Sequence, residues 1–435
     1  MKMFKAGCAE KVLNVPLFIE LHGYGFFAGR RNLGTIGDLY CRAFSFYDGN
    51  NRAMIIYTDS LYVNDDYARE LRNKIASKYS IHPEYITFVA THSHSTPPLY
   101  RSGFCGFGIP DPDYQDYWKN SVMEVAEKAF YDEEEIAHAE AGKAPLSQKL
   151  GKNRVEVEKD ITDEHIRWVK FIRPDGSCKI LLHSHGVHGI VMNGPFYKIA
   201  SSDWAGAANH LIKEEKLADM PLFMLGPCGD LNARYTARDI PEEKNPHLYT
   251  AKLYLADLKK SIAEGGKKIT DLTIRSAMKT VRMPAVKQTV EELAADAEIF
   301  RSIDAYEAER GNRIDEMIIR IKRGEDLTKT REFQVLRIGE LSFLFIPGEY
   351  FVEDGAALME RSEAEYAFTI TVANGNGGYY PAEKCMKRFP RPGGTVRGFG
   401  YYEIYGYPQN HSFKYPDNIA SFVADTLLDI EKNLK

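Results

Sequence analysis

Two histidines one residue apart, His92 and His94, follow the apolar run Ile86-Thr87-Phe88-Val89-Ala90 in the stretch ATHSHSTPP. Such a run reads as a buried strand, and strand residues two apart share a face, so both imidazoles can reach one point just beyond its end. That disposition suits a metal site, although each ring could instead hydrogen-bond loop backbone and carry no chemistry. A second strand end, LLHSHGVHG, carries His183 and His185 on one face and His188 in the loop that follows. In a chain with only 12 histidines, two such strand ends point to partnership rather than chance. Glu349 stands directly after a Pro-Gly turn in FLFIPGEYF, and Asp230 and Asn232 follow glycines in LGPCGDLNAR. His and carboxylate oxygens are zinc donors, and catalytic zinc sites keep one position open. The bland alternatives are a turn-surface glutamate and an Asx-type turn.

The elements that must position these residues read as an α/β fold of central mixed β-sheets flanked by helices. Strands are expected at AMIIYT, ITFVAT, HIRWVKFI, CKILLHSHG, PLFMLG, EFQVLRIG, LSFLFIPG and FTITVANG. The segment NDDYARELRNKIASKY predicts an amphipathic helix with an acidic start, and further helices are expected near 113–130, 203–216, 248–263, 352–363 and 417–433. Residues 289–326 read as a charged helical hairpin broken at Gly311 and inserted between strands as a solvated cover. Residues 374–408 form a long loop rich in Gly, Pro and Tyr, of the kind that is usually functional. No internal repeat is visible, and the 435 residues are expected to form a single domain.

Composition removes several function classes. A formal net charge of -5 without a dense Lys/Arg block argues against nucleic acid as a partner. Six cysteines without a CxxC pair indicate neither a zinc finger nor a disulfide framework. There is no long apolar run that would span a membrane and no recognisable signal peptide, so the expectation is a cytoplasmic protein. A GxSxG elbow and phosphate- or dinucleotide-binding glycine fingerprints are absent.

In chain order, THSHS, a strand-end histidine followed by SSDWAG, then GDLN, PGE, and an NxxxGYxx segment followed by a Tyr-Glu pair resemble the catalytic domain of the neutral and alkaline ceramidase family. GCAEKVLNVP, GDLYCRAFSF and MIIYTDS look like that family's opening strands, so the resemblance runs from residue 5 to about 405. It implies one zinc ion (Zn²⁺) held by His92, His188, Glu349 and Tyr379, with His185 the rival to His188. It places His94 and Tyr402 as hydrogen-bond donors to substrate, and Asp230 and Asn232 beside them as ordering groups. Two departures stand out: Asn232 occupies the position of a family serine implicated in catalysis, and the family's immunoglobulin-like C-terminal domain is not expected here. An amide cannot act as a nucleophile.

The reading is therefore a zinc-dependent hydrolase that cleaves an amide, or an ester, by attack of metal-bound water on a small-molecule or lipid-like N-acyl substrate other than ceramide. Tyr100, Phe104, Phe107 and Tyr117 would line an apolar acyl cleft, whereas Lys384, Lys387, Arg388, Arg391 and Arg397 would meet an anionic substrate. The rivals are an amidohydrolase-type barrel, which needs eight strand-helix alternations, and a catalytically degenerate ligand-binding homologue, which the Asn232 departure motivates.

Overall fold

Along Tyr40–Tyr47, Phe44 and Phe46 enter one apolar cluster while Cys41 and Ala43 enter another, the period-two alternation of a strand buried on both faces. That alternation recurs through the molecule. The computed structural model describes residues 3–24, 29–101, 107–388 and 402–434. Its first sheet holds β1 (Lys5–Val12), β2 (Tyr40–Tyr47), β3 (Arg52–Thr58), β4 (Ile86–Ala90) and the short β5 (Glu134–Glu135), in the order β4-β3-β2-β1-β5. Between β3 and β4 runs α1 (Asp65–Tyr79), capped by the Asn64 side chain on the amides of Asp66 and Tyr67. Together with α2 (Pro112–Tyr131), it covers the outer face through Leu71, Ile75, Trp118 and Val122.

The second sheet is built from β6 (His138–Pro145), with β7 (Gly151–Asn153) lying outside it, then β8 (His165–Ile172), β9 (Cys178–His185) and β10 (Met220–Leu225). β11 (Leu231–Ala233) pairs with β7, and β12 (Lys267–Ile269) closes the order β10-β9-β8-β6-β12. The crossover from β9 to β10 is α3 (Asp203–Glu214), against which α4 (Pro246–Glu264) packs. The third sheet joins β13 (Ile274–Arg282), β14 (Thr330–Ile338), β15 (Leu341–Phe345) and, past β16 (Glu349–Tyr350), β17 (Tyr366–Ile370); β16 pairs with β18 (Tyr379–Tyr380). Helices α5 (Val290–Ile303) and α6 (Ala305–Lys322) lie between β13 and β14, and α7 (Val352–Arg361) links β15 to β17. After the short α8 (Glu383–Arg388) and α9 (Tyr402–Tyr405), α10 (Ile419–Lys432) covers the third sheet's outer face through Ile419, Val423 and Leu427.

Each sheet thus repeats one device: antiparallel neighbours extended by a single parallel strand that a helix delivers, β3/β4, β9/β10 and β15/β17. A parallel partner requires a crossover. Their inner faces, including Phe44 and Ile55, Trp168 and Leu181, and Phe343 and Phe345, meet in one cluster. This explains why the parallel strands read as unbroken apolar runs. The expected mixed α/β fold is present, and the three open sheets are not an eightfold barrel.

The hairpin departs from its sequence reading in two respects. Its break falls at Asp304, and Gly311 lies inside α6, where an added Cβ would stand 2.8 Å from the carbonyl oxygen of Ala297 and 2.9 Å from Cγ of Arg301. The glycine is a close-approach residue. Nor is the hairpin only a solvated cover: Leu293, Phe300, Ile314 and Met317 pack with Met386, Ile404 and Tyr405. In an exposed helix Gly→Ala would stabilise by about 1 kcal/mol, whereas here Gly311→Ala is expected to destabilise by about 1–3 kcal/mol through overpacking. Denaturant unfolding checks this, and a stability gain would refute the close-packing account.

Candidate metal centre and its cavity

The carboxyl ends of the three parallel pairs point to one place, so the loops that leave them supply the site. After β3 comes Leu61, after β4 His92 and His94, after β9 His188, after β10 Gly229 and Asn232, after β15 Glu349, and after β17 the segment reaching Tyr379. Backbone pairing locks the two histidine loops together, with the His94 amide donating to Gly189 O at 2.9 Å. Asp203 fixes the other end of the His188 loop by accepting from the amides of Val191, Met192 and Trp204 at 3.2, 3.0 and 2.8 Å.

His92, His94 and His188 form a cluster whose ligand atoms lie within 4.8 Å of one another. Nδ1 of His92 lies 2.8 Å from Leu61 O, and Nδ1 of His94 lies 2.8 Å from Gly23 O. A carbonyl only accepts, so each Nδ1 carries the proton and each Nε2 presents a lone pair. Those two Nε2 atoms face each other at 3.4 Å. Glu349 Oε2 completes the group at 3.4 Å from His92 Nε2 and 3.0 Å from His188 Nε2. Electron-pair donors this close repel unless a cation or proton lies among them; the three spacings of 3.0–3.4 Å are close to the edge, about 3.3 Å, between neighbouring ligands drawn at ordinary zinc–ligand distances, while the histidine atoms as a group spread to 4.8 Å. Burial pulls His94 well below its usual range, with His92 and His188 adding to it, and burial followed by Arg154 brings His188 down to about 4. Those two imidazoles are therefore neutral and ligand-ready at neutral pH. Burial opposes the Glu349 carboxylate, yet His92 and His188 hold it well below the usual carboxylate range.

Gly23 has φ +112°, and a Cβ there would stand 2.7 Å from the His94 ring, so only glycine lets its carbonyl set the histidine. Gly229 plays the matching part opposite, where a Cβ would stand 2.8 Å from Glu349 O.

The other two histidines of the LLHSHGVHG strand end lie apart from the cluster. His185 is buried with Nδ1 3.2 Å from His165 O and 3.3 Å from Asp163, a carboxylate that also accepts from Gly186 N and Arg167. His183 is a core residue bonded to Tyr254 and Asn209 at 3.0 and 2.9 Å. Of the two rivals, His188 is the one beside Glu349.

Tyr379 and Tyr402 line the same cavity of about 410 Å³ as His92, His94, Asn232 and Glu349. Their rings meet edge to face at 5.6 Å. Asp230 faces elsewhere, accepting from Val352 N at 2.9 Å and Asn153 Nδ2 at 2.8 Å, and so ties the segment after Glu349 to β7. Burial lifts its carboxyl to about 6. Of the aromatics expected at the cleft, Phe107 lines the cavity. Tyr117 instead donates to Val12 O and accepts from Asn14 N, because it lies on the α2 face turned toward the end of β1. Phe104, Arg391 and Arg397 lie outside the described residues.

Arg154 was not singled out by its sequence context, since nothing marks it among 56 lysines and arginines. It is buried with its Nε 2.8 Å from Glu403, its Nη1 donating to Asn232 Oδ1 at 3.1 Å, and its Nη2 donating to Gly229 O at 2.7 Å and Tyr379 Oη at 3.3 Å. Because Arg154 occupies the acceptor oxygen of Asn232, the Asn232 Nδ2–H groups are left as donors. Burial pushes Glu403 up, with Arg154 opposing.

No family model matches the sequence. Among solved structures, the fold is that of the neutral ceramidases. The crystal structure of neutral ceramidase from Pseudomonas aeruginosa superposes with a TM-score of 0.76 at 14% identity, covering 99% of this chain and 74% of that one. A ceramidase complexed with C2 gives 0.75 at 13% identity, with 99% and 75% covered.

Removing one partner of a buried ion pair strands the other, so Arg154→Met is expected to cost about 3 kcal/mol. Adding Glu403→Gln should return much of that loss, as measured by a denaturant double-mutant cycle. Strictly additive costs would show the pair to be uncoupled.

Proposed function

We propose that this chain is a zinc-dependent hydrolase that cleaves an amide bond. The observation that carries the reading is the convergence of three imidazoles, their ligand atoms within 4.8 Å of one another, on a buried carboxylate 3.4 Å from His92 and 3.0 Å from His188, with the Nε2 atoms of His92 and His94 turned toward each other. The ceramidase fold supports the amide as the bond cleaved. His92, His188 and Glu349 would hold the metal, and Tyr379 would be the fourth protein ligand. Burial, then Glu349 and Tyr402, push the Tyr379 hydroxyl well above its usual range, so the phenolate needs a cation beside it. Bound there, zinc would supply a Lewis acid that polarises the scissile carbonyl and makes water acidic near neutral pH.

His94, on the half-buried side of the cluster, has a free lone pair at Nε2. In this reading it takes the proton of the attacking water, where the family resemblance implies a hydrogen-bond donor to substrate. The water oxygen bonds to the carbonyl carbon, the C–N bond breaks, and His94 Nε2 returns the proton to the leaving amine. Burial raises the Tyr402 hydroxyl far above its usual range, so it remains a donor. Together with Asn232 Nδ2–H it faces the developing oxyanion, and loss of one such donor typically costs ~10²–10³ in rate. Asn232 thus serves as a donor where a nucleophile is not required. Arg154 is a positioning residue that orients Asn232 and Tyr379.

Elemental analysis of purified protein supplied with zinc tests the reading. About one zinc per chain is expected, with most of it lost in His92→Ala and in Glu349→Gln. Assays on N-acyl amides should show hydrolysis in the wild type, and a loss of ~10²-fold or more in kcat for Asn232→Ala. Protein that takes up no zinc refutes the metal hydrolase. Zinc uptake without turnover of any N-acyl amide or ester would leave a ligand-binding protein on a ceramidase-like fold.

A further inference from the structure

The charged groups that line the cavity are mostly spoken for. Lys152 pairs with Asp239 at 3.0 Å, Arg154 with Glu403 at 2.8 Å, and Arg310 of α6 with Glu307 at 3.2 Å. The loop cations expected to meet an anion are also engaged: Lys384 pairs with Glu156 and Glu353, Lys387 with Glu383, and Arg388 has a partner as well. Arg238 differs. It lines the cavity from its exposed lip and has no carboxylate within ion-pair distance among the described residues. It is nevertheless held in place: its amide donates to Asn193 Oδ1 at 3.1 Å, a Cβ on Gly194 would stand 3.1 Å from its Cγ, and its guanidinium lies 5.1 Å from the Tyr197 ring centroid.

That ring belongs to a wall leading back to the cluster. Tyr197 meets Tyr24 edge to face at 4.9 Å, and Tyr24 lies 5.3 Å from the His94 ring. Behind Tyr24 sits Arg30, buried, 4.7 Å from the ring centroid and also without a carboxylate partner among the described residues. Two unneutralised guanidinium groups therefore flank one aromatic wall. One of them is buried, where its field is poorly screened. A fixed guanidinium at an opening presents a planar fork of N–H donors that matches a carboxylate.

We propose that the substrate of this site carries an anionic group, of carboxylate type, that docks on Arg238 at the cavity lip while the scissile carbonyl lies at the histidine cluster. This rests on the hydrolase reading for the bond that is cleaved, but not for the binding itself. It assigns the substrate class as anionic N-acyl compounds rather than neutral lipids.

The test measures binding by calorimetry on the zinc-supplied full chain. The probes are N-hexanoyl glycine, N-hexanoyl 4-aminobutyrate and N-hexanoyl 6-aminohexanoate, each beside its neutral carboxamide, which varies the reach to Arg238. In the wild type, at least one acid should bind about tenfold or more tightly than its amide, the scale of one charge-assisted contact. Arg238→Gln, which keeps the stem over Gly194, should abolish the preference without weakening the carboxamide, and Arg238→Lys should retain part of it. No preference in any pair, no binding by any probe, or a preference that survives Arg238→Gln would overturn the proposal. Hydrolysis is followed in parallel: a preference that depends on Arg238 with no turnover would sink the amidase reading and leave the anion subsite standing.

Discussion

A carboxylate removed from water and surrounded by imidazole lone pairs is unstable by itself, and Glu349 is in that position. The effective penalty for burying such an ion is several kcal/mol. A proton held between Glu349 and a histidine can offset it, and so can a divalent cation. The backbone chooses between these roles for the individual nitrogens. Leu61 O and Gly23 O claim the Nδ1 protons of His92 and His94, so both Nε2 atoms face inward, toward whatever occupies the space between them. Much of the surrounding structure serves this constraint. His92 adopts φ 60°, an uncommon conformation for a residue with a side chain, which turns the chain at the end of β4.

Convergence of the three sheets is what makes so dense a cluster attainable. Each parallel pair ends in two loops, and six loop ends meet where a single sheet could supply two. The segment after β17 stitches the pairs to one another: Thr371 donates to Leu225 O of the second sheet, Ala373 to Ile346 O of the third, and Asn374 to Phe88 O of the first. The Asn374 side chain adds bonds to Phe88 N at 2.9 Å and to Gln334 at 2.7 Å. Val372, within that stitch, has φ 54°, which a β-branched residue adopts only under tertiary compulsion. Strain stored beside the site is thus repaid by backbone bonds to all three sheets.

How much of this the sequence disclosed follows from the range of the interactions involved. Strand-end histidines, the PGE turn and the parallel strands were legible because local spacing and unbroken apolar runs encode them. The helices α1, α2, α3, α4, α7 and α10 fall within two residues of their expected bounds for the same reason. The choice of His188 over His185 was not legible, because both follow one strand and only the approach of Glu349, 161 residues later, separates them. Arg154 was invisible since its importance lies wholly in partners 75 to 249 positions away, among them Gly229 and Glu403. The threefold recurrence of parallel pairs left no repeat in the sequence, because the recurring feature is a connection rather than a side-chain pattern.

Gly311 shows the same limit from the other side: a glycine in a charged helix reads as a break when its neighbour is unseen, and as a contact once α5 lies against it. Its consequence reaches the site, since the face of α6 so fixed brings Glu307 and Arg310 to the cavity wall. The histidine cluster hangs from strand ends that share the common core. Its walls come from an inserted hairpin and from the 193–197 and 236–239 turns, none of which the sheets require. Changes in those walls can therefore alter which molecule enters without moving the histidines. For that reason the fold alone, shared with proteins 13–14% identical, does not fix the substrate, and the guanidinium at the lip carries more information about it than the cluster does.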